Sequence, residues 1–291
     1  PFLLDVRGGR PTPPELVAEN QARYRKTGGK SPAVGITFSV ARKLETRLNE
    51  SGEGRYRVYV GLRHWHPFIK DTLAQLLRDD PEHLIGFCMA PQQSSLSTGA
   101  YRKKVEEAQA LLNDHHPVSY VGRWNRHQKL IAALVENVQQ GLAKFPAASR
   151  ADVTVLFTAH SLPERIVAMN DPYPDEVQGT VAAVTGLLGQ QPTAFAYQSQ
   201  GRSGERWLGP TVEATVEELS RAGQRHVLVG PIGFLCDHVE TLYDNDIELR
   251  QLAASRGIQL ERIAMLNDSP AFIETLVDVV TAHESSLTIS S

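Results

Sequence analysis

Cysteine is the scarcest reactive residue here: Cys88 and Cys236 are the only two in 291 residues. Two thiols are too few for a disulfide framework or for an iron–sulfur cluster that takes four cysteine ligands. Both sit among apolar neighbours and read as plain buried thiols, which fits a reducing, cytoplasmic setting. Long apolar runs are lacking as well, and none approaches the ~18 residues of a membrane span. Charge of one sign is not in excess either. The net charge is −3, so no global field pulls the chain onto nucleic acid or anionic lipid. An anionic ligand would have to find a local cluster of arginines instead. What the chain does have is ordinary: 41% hydrophobic and 22% charged residues, a balance that excludes wholesale disorder. It opens on Pro1 inside what reads as a loop, so a further segment upstream is expected.

Strand-like runs alternate with amphipathic stretches almost throughout. Strands are predicted at 57–61, 84–90, 118–121, 153–158, 193–197, 226–230 and 259–263. Helices are predicted at 14–25, 36–49, 67–77, 100–112, 128–142, 174–188, 211–221, 237–254 and 270–281. This βαβα order predicts an α/β fold of parallel sheets covered by helices on both faces. At roughly 150 residues per domain the length suggests two domains. The runs at 57–61 and 86–91 find echoes at 194–198 and 227–231, as two similar doubly wound, Rossmann- or flavodoxin-like domains would produce. The expected division is 1–116 and 117–291, with the seam near His115, His116 and Pro117 and with the C-terminal helix, 270–291, free to pack back on the first domain.

Side chains just past the carboxyl ends of parallel strands point into the ligand crevice. His160 ends the run Thr154-Val155-Leu156-Phe157-Thr158-Ala159, before Ser161-Leu162-Pro163. A neutral imidazole there can take a proton or bind a metal. The plainer reading is a histidine bonded to the next loop. Glu240, Asp244 and Glu248 recur at i, i+4 and i+8 and form one carboxylate ridge. A solvated face would look the same, and Asp237 with Glu240 could simply be a capping pair. Yet three adjacent carboxylates without interleaved lysine repel one another, whereas oxygen ligands leading to a histidine suit a divalent cation.

Arg7, Arg10, Arg23 and Arg25 stand near Gly28-Gly29-Lys30-Ser31-Pro32. Their forks suit carboxylates or phosphates, with solvated surface as the alternative. The end of that segment imitates a phosphate-binding loop, but Tyr24 stands where the first glycine is required and no strand precedes it. Nucleotide binding is therefore rejected. Ala196-Tyr197-Gln198-Ser199-Gln200-Gly201 imitates a nucleophile elbow with tyrosine for its first glycine, and the next helix begins only after Pro210, too late for the strand–turn–helix geometry.

Taken together, Phe157-Thr158-Ala159-His160-Ser161-Leu162-Pro163, Gln198-Ser199-Gln200-Gly201, Trp207-Leu208-Gly209-Pro210 and Asp237-His238-Val239-Glu240 with Leu242-Tyr243-Asp244-Asn245-Asp246 closely resemble ferrochelatase. The first half, with Gly61-Leu62-Arg63-His64, is similar to the soluble Gram-positive type assigned to coproporphyrin III. The resemblance implies two type-II chelatase domains with a porphyrin cleft between them. It implies an enzyme that inserts Fe²⁺ as substrate without an organic cofactor or iron–sulfur cluster, and that is expected to be a cytoplasmic monomer. By the same resemblance His160 and Glu240 bind metal and handle protons, and Asp244 and Glu248 pass metal inward. Arg7, Arg23, Tyr24, Ser31 and Tyr101 would contact the macrocycle and its carboxylates, His64 would be a further cleft histidine, and Trp207 would belong to the cleft wall. Two departures stand out: the opening strand with its iron-ligating tyrosine and the C-terminal extension of the cluster-bearing, membrane-associated variety are not in this sequence. Rival readings are a non-catalytic tetrapyrrole carrier, a chelatase for another tetrapyrrole, and a serine hydrolase resting on Ser199.

Overall fold

The computed structural model describes residues 2–50, 55–201 and 204–288. Its helices are α1 (Phe2–Val6), α2 (Pro14–Lys26), α3 (Ala33–Leu48), α4 (Ile69–Leu76), α5 (Thr98–Leu112), α6 (Gln128–Leu142), α7 (Arg165–Ala168), α8 (Tyr173–Leu188), α9 (Val212–Arg221), α10 (Arg250–Ser255) and α11 (Pro270–Thr288). Strands β1 (Leu84–Gly86) and β2 (Val118–Tyr120) form a small parallel sheet in the first half. In the second half β3 (Thr154–His160), β4 (Thr193–Gln198), β5 (His226–Gly230) and β6 (Gln259–Arg262) form a parallel sheet in the order β4-β3-β5-β6.

The central strand β3 explains the layering. Alternate side chains of a strand face opposite sides of the sheet, and in a parallel sheet covered by helices both sides are dry. Val155 and Phe157 join a core built with α3, α6 and α11, whereas Leu156 joins a second core with α9 and α10. All three are fully buried, which is why the sequence shows a continuous apolar run there instead of an alternating one. Helix α11 packs against both α3 and α6, tying the chain's two halves together.

A polar seam also joins the halves. The loop between β1 and α5 is held by two buried carboxylates near the start of α8. Asp171 accepts from the backbone and hydroxyl of Ser95, both at 2.7 Å, and from the hydroxyl of Ser94 at 3.1 Å. Glu176 accepts from the backbone N–H of Gln93 at 2.7 Å.

The expected strand at 57–61 is not formed. Two of its backbone groups are taken by side chains: Val58 N–H donates to Glu45 at 2.7 Å, and the Val60 carbonyl accepts from Thr72 at 2.7 Å. A run of strand-forming residues becomes a strand only beside a ladder partner, and here Glu45 and Thr72 supplant one. The expected strand 84–90 shortens to Leu84–Gly86.

Candidate metal and porphyrin site

His160 is the last residue of β3, and its imidazole keeps about a third of its surface (34%) in solvent. Nδ1 is bonded to the carbonyl of Ser161. A carbonyl only accepts, so Nδ1 carries the hydrogen and the neutral ring presents a lone pair at Nε2. That lone pair lies 3.6 Å from Oε2 of Glu240. Two donors of one ion, each at about 2.1 Å, lie roughly 3–3.5 Å apart, so the spacing is close to that of a shared cation and too long for a direct hydrogen bond. Among the described residues no group of three His, Cys, Asp or Glu side chains is placed to hold a metal. The pair offers few ligands, as suits an ion in transit more than a resident one.

Sequence reasoning left out His238, whose Nε2 also lies 3.6 Å from the same Glu240 oxygen. The signal was present in Asp237-His238-Val239-Glu240, two residues before the carboxylate at the start of a helix. The Phe234 ring lies edge-on to His160 and tilted against His238, with centroids 6.2 and 4.8 Å away. Burial alone would push the Glu240 carboxyl up, but a hydrogen bond from His238, the positive charge of either imidazole once protonated and that of Arg23 hold it below the usual carboxylate range.

The segment after Glu240 departs from expectation. A single α-helix at 237–254 was expected, with Asp237 and Glu240 as a capping pair in the plainer reading. Instead Thr241–Leu249 is π-helical, and the N–H of Arg250 reaches the carbonyl of Asn245, five residues back. Asp237 does not cap it. Its carboxylate takes Arg262 at 2.9 Å and Asn267 at 2.8 Å. Arg262 also grips Asp246 with two bonds, at 2.8 and 2.9 Å, so the wide helix is anchored to β6. Along it the carboxylates run from partly exposed Glu240 and Asp244 to exposed Glu248, a row that leads from the imidazoles to solvent.

Helix α2 faces this row. Arg23 donates to Asp244 at 3.2 Å and to Glu19 at 3.3 Å, with its guanidinium 4.9 Å from the centre of the Tyr243 ring. Tyr24 is pushed up by burial and then by the negative charge of Glu240. Asp244 is raised by burial and by Glu240 and Glu248, against the pull of Ser199 and Arg23. Ser199 has a left-handed backbone (φ 58°) and donates its hydroxyl to Asp244 at 2.6 Å. That bond commits the serine to a carboxylate, so the nucleophile-elbow likeness ends there.

Other expected site residues have neighbours of their own. Trp207 pairs across a bridge with Pro163, three residues past His160, and its ring fills the space over Gly201, where a Cβ would come within 2.3 Å. His64 Nδ1 lies 2.7 Å from Asp5, and Tyr101 lies 5.8 Å from the Arg63 guanidinium. Ser31 accepts from the N–H of Ala33 at the start of α3, and Arg7 is exposed at the end of α1. Two surface cavities of about 580 and 360 Å³ are lined by other residues, among them Glu45, Arg57 and Asp79, and Lys144, Asp246 and Arg262. No helix of the described residues is long and apolar enough to cross a membrane.

Parallel α/β halves, with an imidazole at a strand end facing a carboxylate at a helix start, have the fold of the chelatases. SirB from Bacillus subtilis, solved with Fe³⁺, superposes with a TM-score of 0.58 at 10% identity over 83% of this chain and 89% of that one. DR2241 from Deinococcus radiodurans, a multi-domain protein similar to chelatases, gives 0.52 at 16% identity over 84% of this chain and 50% of that one. The sequence narrows the class: the ferrochelatase family model matches residues 13–284, and the chain belongs to that family. A ferrochelatase of Herpetosiphon aurantiacus is 43% identical over 97% of this chain and 92% of its own. The coproporphyrin III ferrochelatase of Listeria innocua is 35% identical over 96% and 91%.

Proposed function

We propose that this protein inserts Fe²⁺ into a porphyrin during heme biosynthesis, with coproporphyrin III as the favoured ring and protoporphyrin IX next. It is a lyase that works as a cytoplasmic monomer, takes iron as substrate, and needs neither an organic cofactor nor an iron–sulfur cluster. Two similar chelatase domains, 1–116 and 117–291, enclose the ring between them. The observation that carries this reading is the 3.6 Å separation of His160 Nε2 and Glu240 Oε2 in a chain of this family.

A free-base porphyrin must lose two pyrrole protons as the metal enters, and its flat ring shields the nitrogens that bind it. Tilting the pyrroles exposes those lone pairs at a strain of roughly 1–5 kcal/mol, offset by binding energy from remote groups. Arg7 and Arg23 on the ring carboxylates are that remote source, and Tyr24, Ser31, Tyr101, His64 and Trp207 line the ring. His160, with its Nδ1 hydrogen committed to Ser161, accepts pyrrole protons at Nε2. Glu240, held ionised by the imidazoles and Arg23 beside it, compensates the charge and receives Fe²⁺ handed inward from Glu248 and Asp244. General-base help of this kind contributes about 10²–10⁴ in rate.

The test is His160→Ala with Fe²⁺ and each of the two porphyrins, followed by absorbance. Metal insertion should be abolished while the porphyrin still binds. Insertion at the normal rate would remove His160 from the chemistry. A protein that binds the ring yet never metallates it would be a carrier instead.

A further inference from the structure

The acidic row faces a cation of the protein's own. Arg23 NH1 sits on Oδ1 of Asp244 at 3.2 Å, while Ser199 fixes the other carboxylate oxygen at 2.6 Å. The pair is well shielded, with 27% and 17% of the two side chains exposed. The second prong of the guanidinium holds Glu19, on the same helix. Arg23 thus joins the first half of the chain, through α2, to the π-helix of the second. A divalent ion on Oδ1 of Asp244 and the guanidinium compete for one oxygen, and like charges at that distance repel. The displaced guanidinium keeps Glu19 on its own helix but loses its partner on the π-helix, and a partly buried prong left without an acceptor favours a new anion. Arginine forks take planar carboxylates well, and a ring carboxylate at the mouth of the site is such an anion.

We propose that Arg23 is a counter-ion shared between the two substrates: it leaves Asp244 for a carboxylate of the ring as the metal ion takes its place, so that each substrate tightens the binding of the other. The inference rests on the porphyrin reading above and assigns Arg23 a coupling role, beyond a grip on the ring. Coupling of this kind is reciprocal and typically amounts to about 5–150-fold in affinity.

The experiment titrates Mn²⁺ into the full chain, following the free ion by electron paramagnetic resonance, with and without zinc coproporphyrin III. That ring is already filled, so no insertion intervenes, and its binding is read separately from its absorbance band. In the unsubstituted protein the filled ring should tighten Mn²⁺ binding about fivefold or more. Arg23→Gln should bind Mn²⁺ tightly with or without the ring, and Asp244→Asn weakly in both. A ring that binds but leaves the Mn²⁺ affinity of the unsubstituted protein unchanged overturns the coupling while sparing the porphyrin reading. So does a ring effect of the same size in Arg23→Gln. A ring that does not bind at all sinks both.

Discussion

The hydroxyl of Tyr173 donates to the backbone carbonyl of His160 at 2.8 Å. Tyr173 is buried, and burial pushes its phenol above the usual range, helped by the charges of Tyr197 and Asp171, so the group remains a donor. Its own N–H donates to Asp171 at 3.0 Å. The proposed base is therefore tied through one side chain to the polar seam that joins the halves. Tyr173→Phe deletes this tie with little change in volume. Removing one partner of a buried hydrogen bond costs about 1–3 kcal/mol, and small misplacements of a catalytic group cost far more in rate than in binding. Metal insertion should slow about tenfold or more at saturating substrates, with porphyrin affinity within about twofold of the unsubstituted protein. An unchanged rate would show that the strand end holds His160 unaided.

Gly233 supplies a second constraint on the same imidazole. The loop after β5 crosses the end of β3, where Gly233 donates its N–H to the Thr158 carbonyl at 3.1 Å. A Cβ added there would meet the Cα and Cβ of Ala159, each at 2.7 Å. The obstruction is backbone and the short side chain of a buried strand, so neither can swing aside. Gly233→Ala should destabilise the protein by about 1–3 kcal/mol, the usual cost of overpacking, and should slow insertion at temperatures where it remains folded. Denaturant unfolding and a rate assay on the same sample test it. A fully active, equally stable variant would mean the loop moves freely from the strand.

Glu248 is the exposed end of the carboxylate row. If the row delivers iron, Glu248→Gln should raise the Fe²⁺ concentration for half-maximal rate by about threefold or more, with porphyrin affinity unaltered, since it removes one charge from the approach and no contact from the ring. The effect should shrink in high salt, because exposed charges are screened within a Debye length of about 10 Å at 0.1 M. An unchanged iron dependence returns Glu248 to an ordinary solvated face.

How legible this was in the sequence depended on what each residue answers to. Val155, Leu156, Phe157 and Ala159 are buried on both sides of a sheet, so their apolar run betrayed β3 and left His160 at its end. Glu240 and Asp244 could be read at helical spacing because four residues is close to one turn in either helix type. The π-helix itself was hidden, since the same residues satisfy an α-helix, and the anchor that accompanies the wide form, Arg262 on Asp237 and Asp246, comes from a strand far along the chain. The strand at 57–61 failed for a related reason. Its β-forming side chains are local, but the groups that claimed its backbone, Glu45 and Thr72, are on other elements. Arg23 was legible as a cation near an anion, but not as the partner of Asp244.

Acid should loosen the seam in a way that one substitution exposes. Burial alone would raise the Asp171 carboxyl, but the hydroxyl and N–H of Ser95, the N–H of Tyr173 and the hydroxyl of Ser94 hold it below its ordinary value. A carboxyl whose folded value lies below its unfolded one stabilises the fold fully above the unfolded value, about 3.9 for aspartate. That stabilisation is lost as pH falls through the lower folded value. Glu176 runs the other way: burial raises it, so its penalty grows as pH rises and fades in acid. The stability of the unsubstituted protein mixes both trends, whereas its difference from Asp171→Asn isolates one. At pH 7 the variant should be less stable by about 1–3 kcal/mol, the cost of losing a charge-assisted acceptor for four donors. Below about pH 4 the difference should narrow, because the unfolded carboxyl then takes up a proton that the native one still refuses, and it levels off once pH has fallen through the lower folded value. Urea unfolding of both proteins at pH 7 and near pH 3 measures the two differences. A gap of constant size would mean that Asp171 is not held ionised by the seam, and that the loop between β1 and α5 is fastened by something other than this carboxylate.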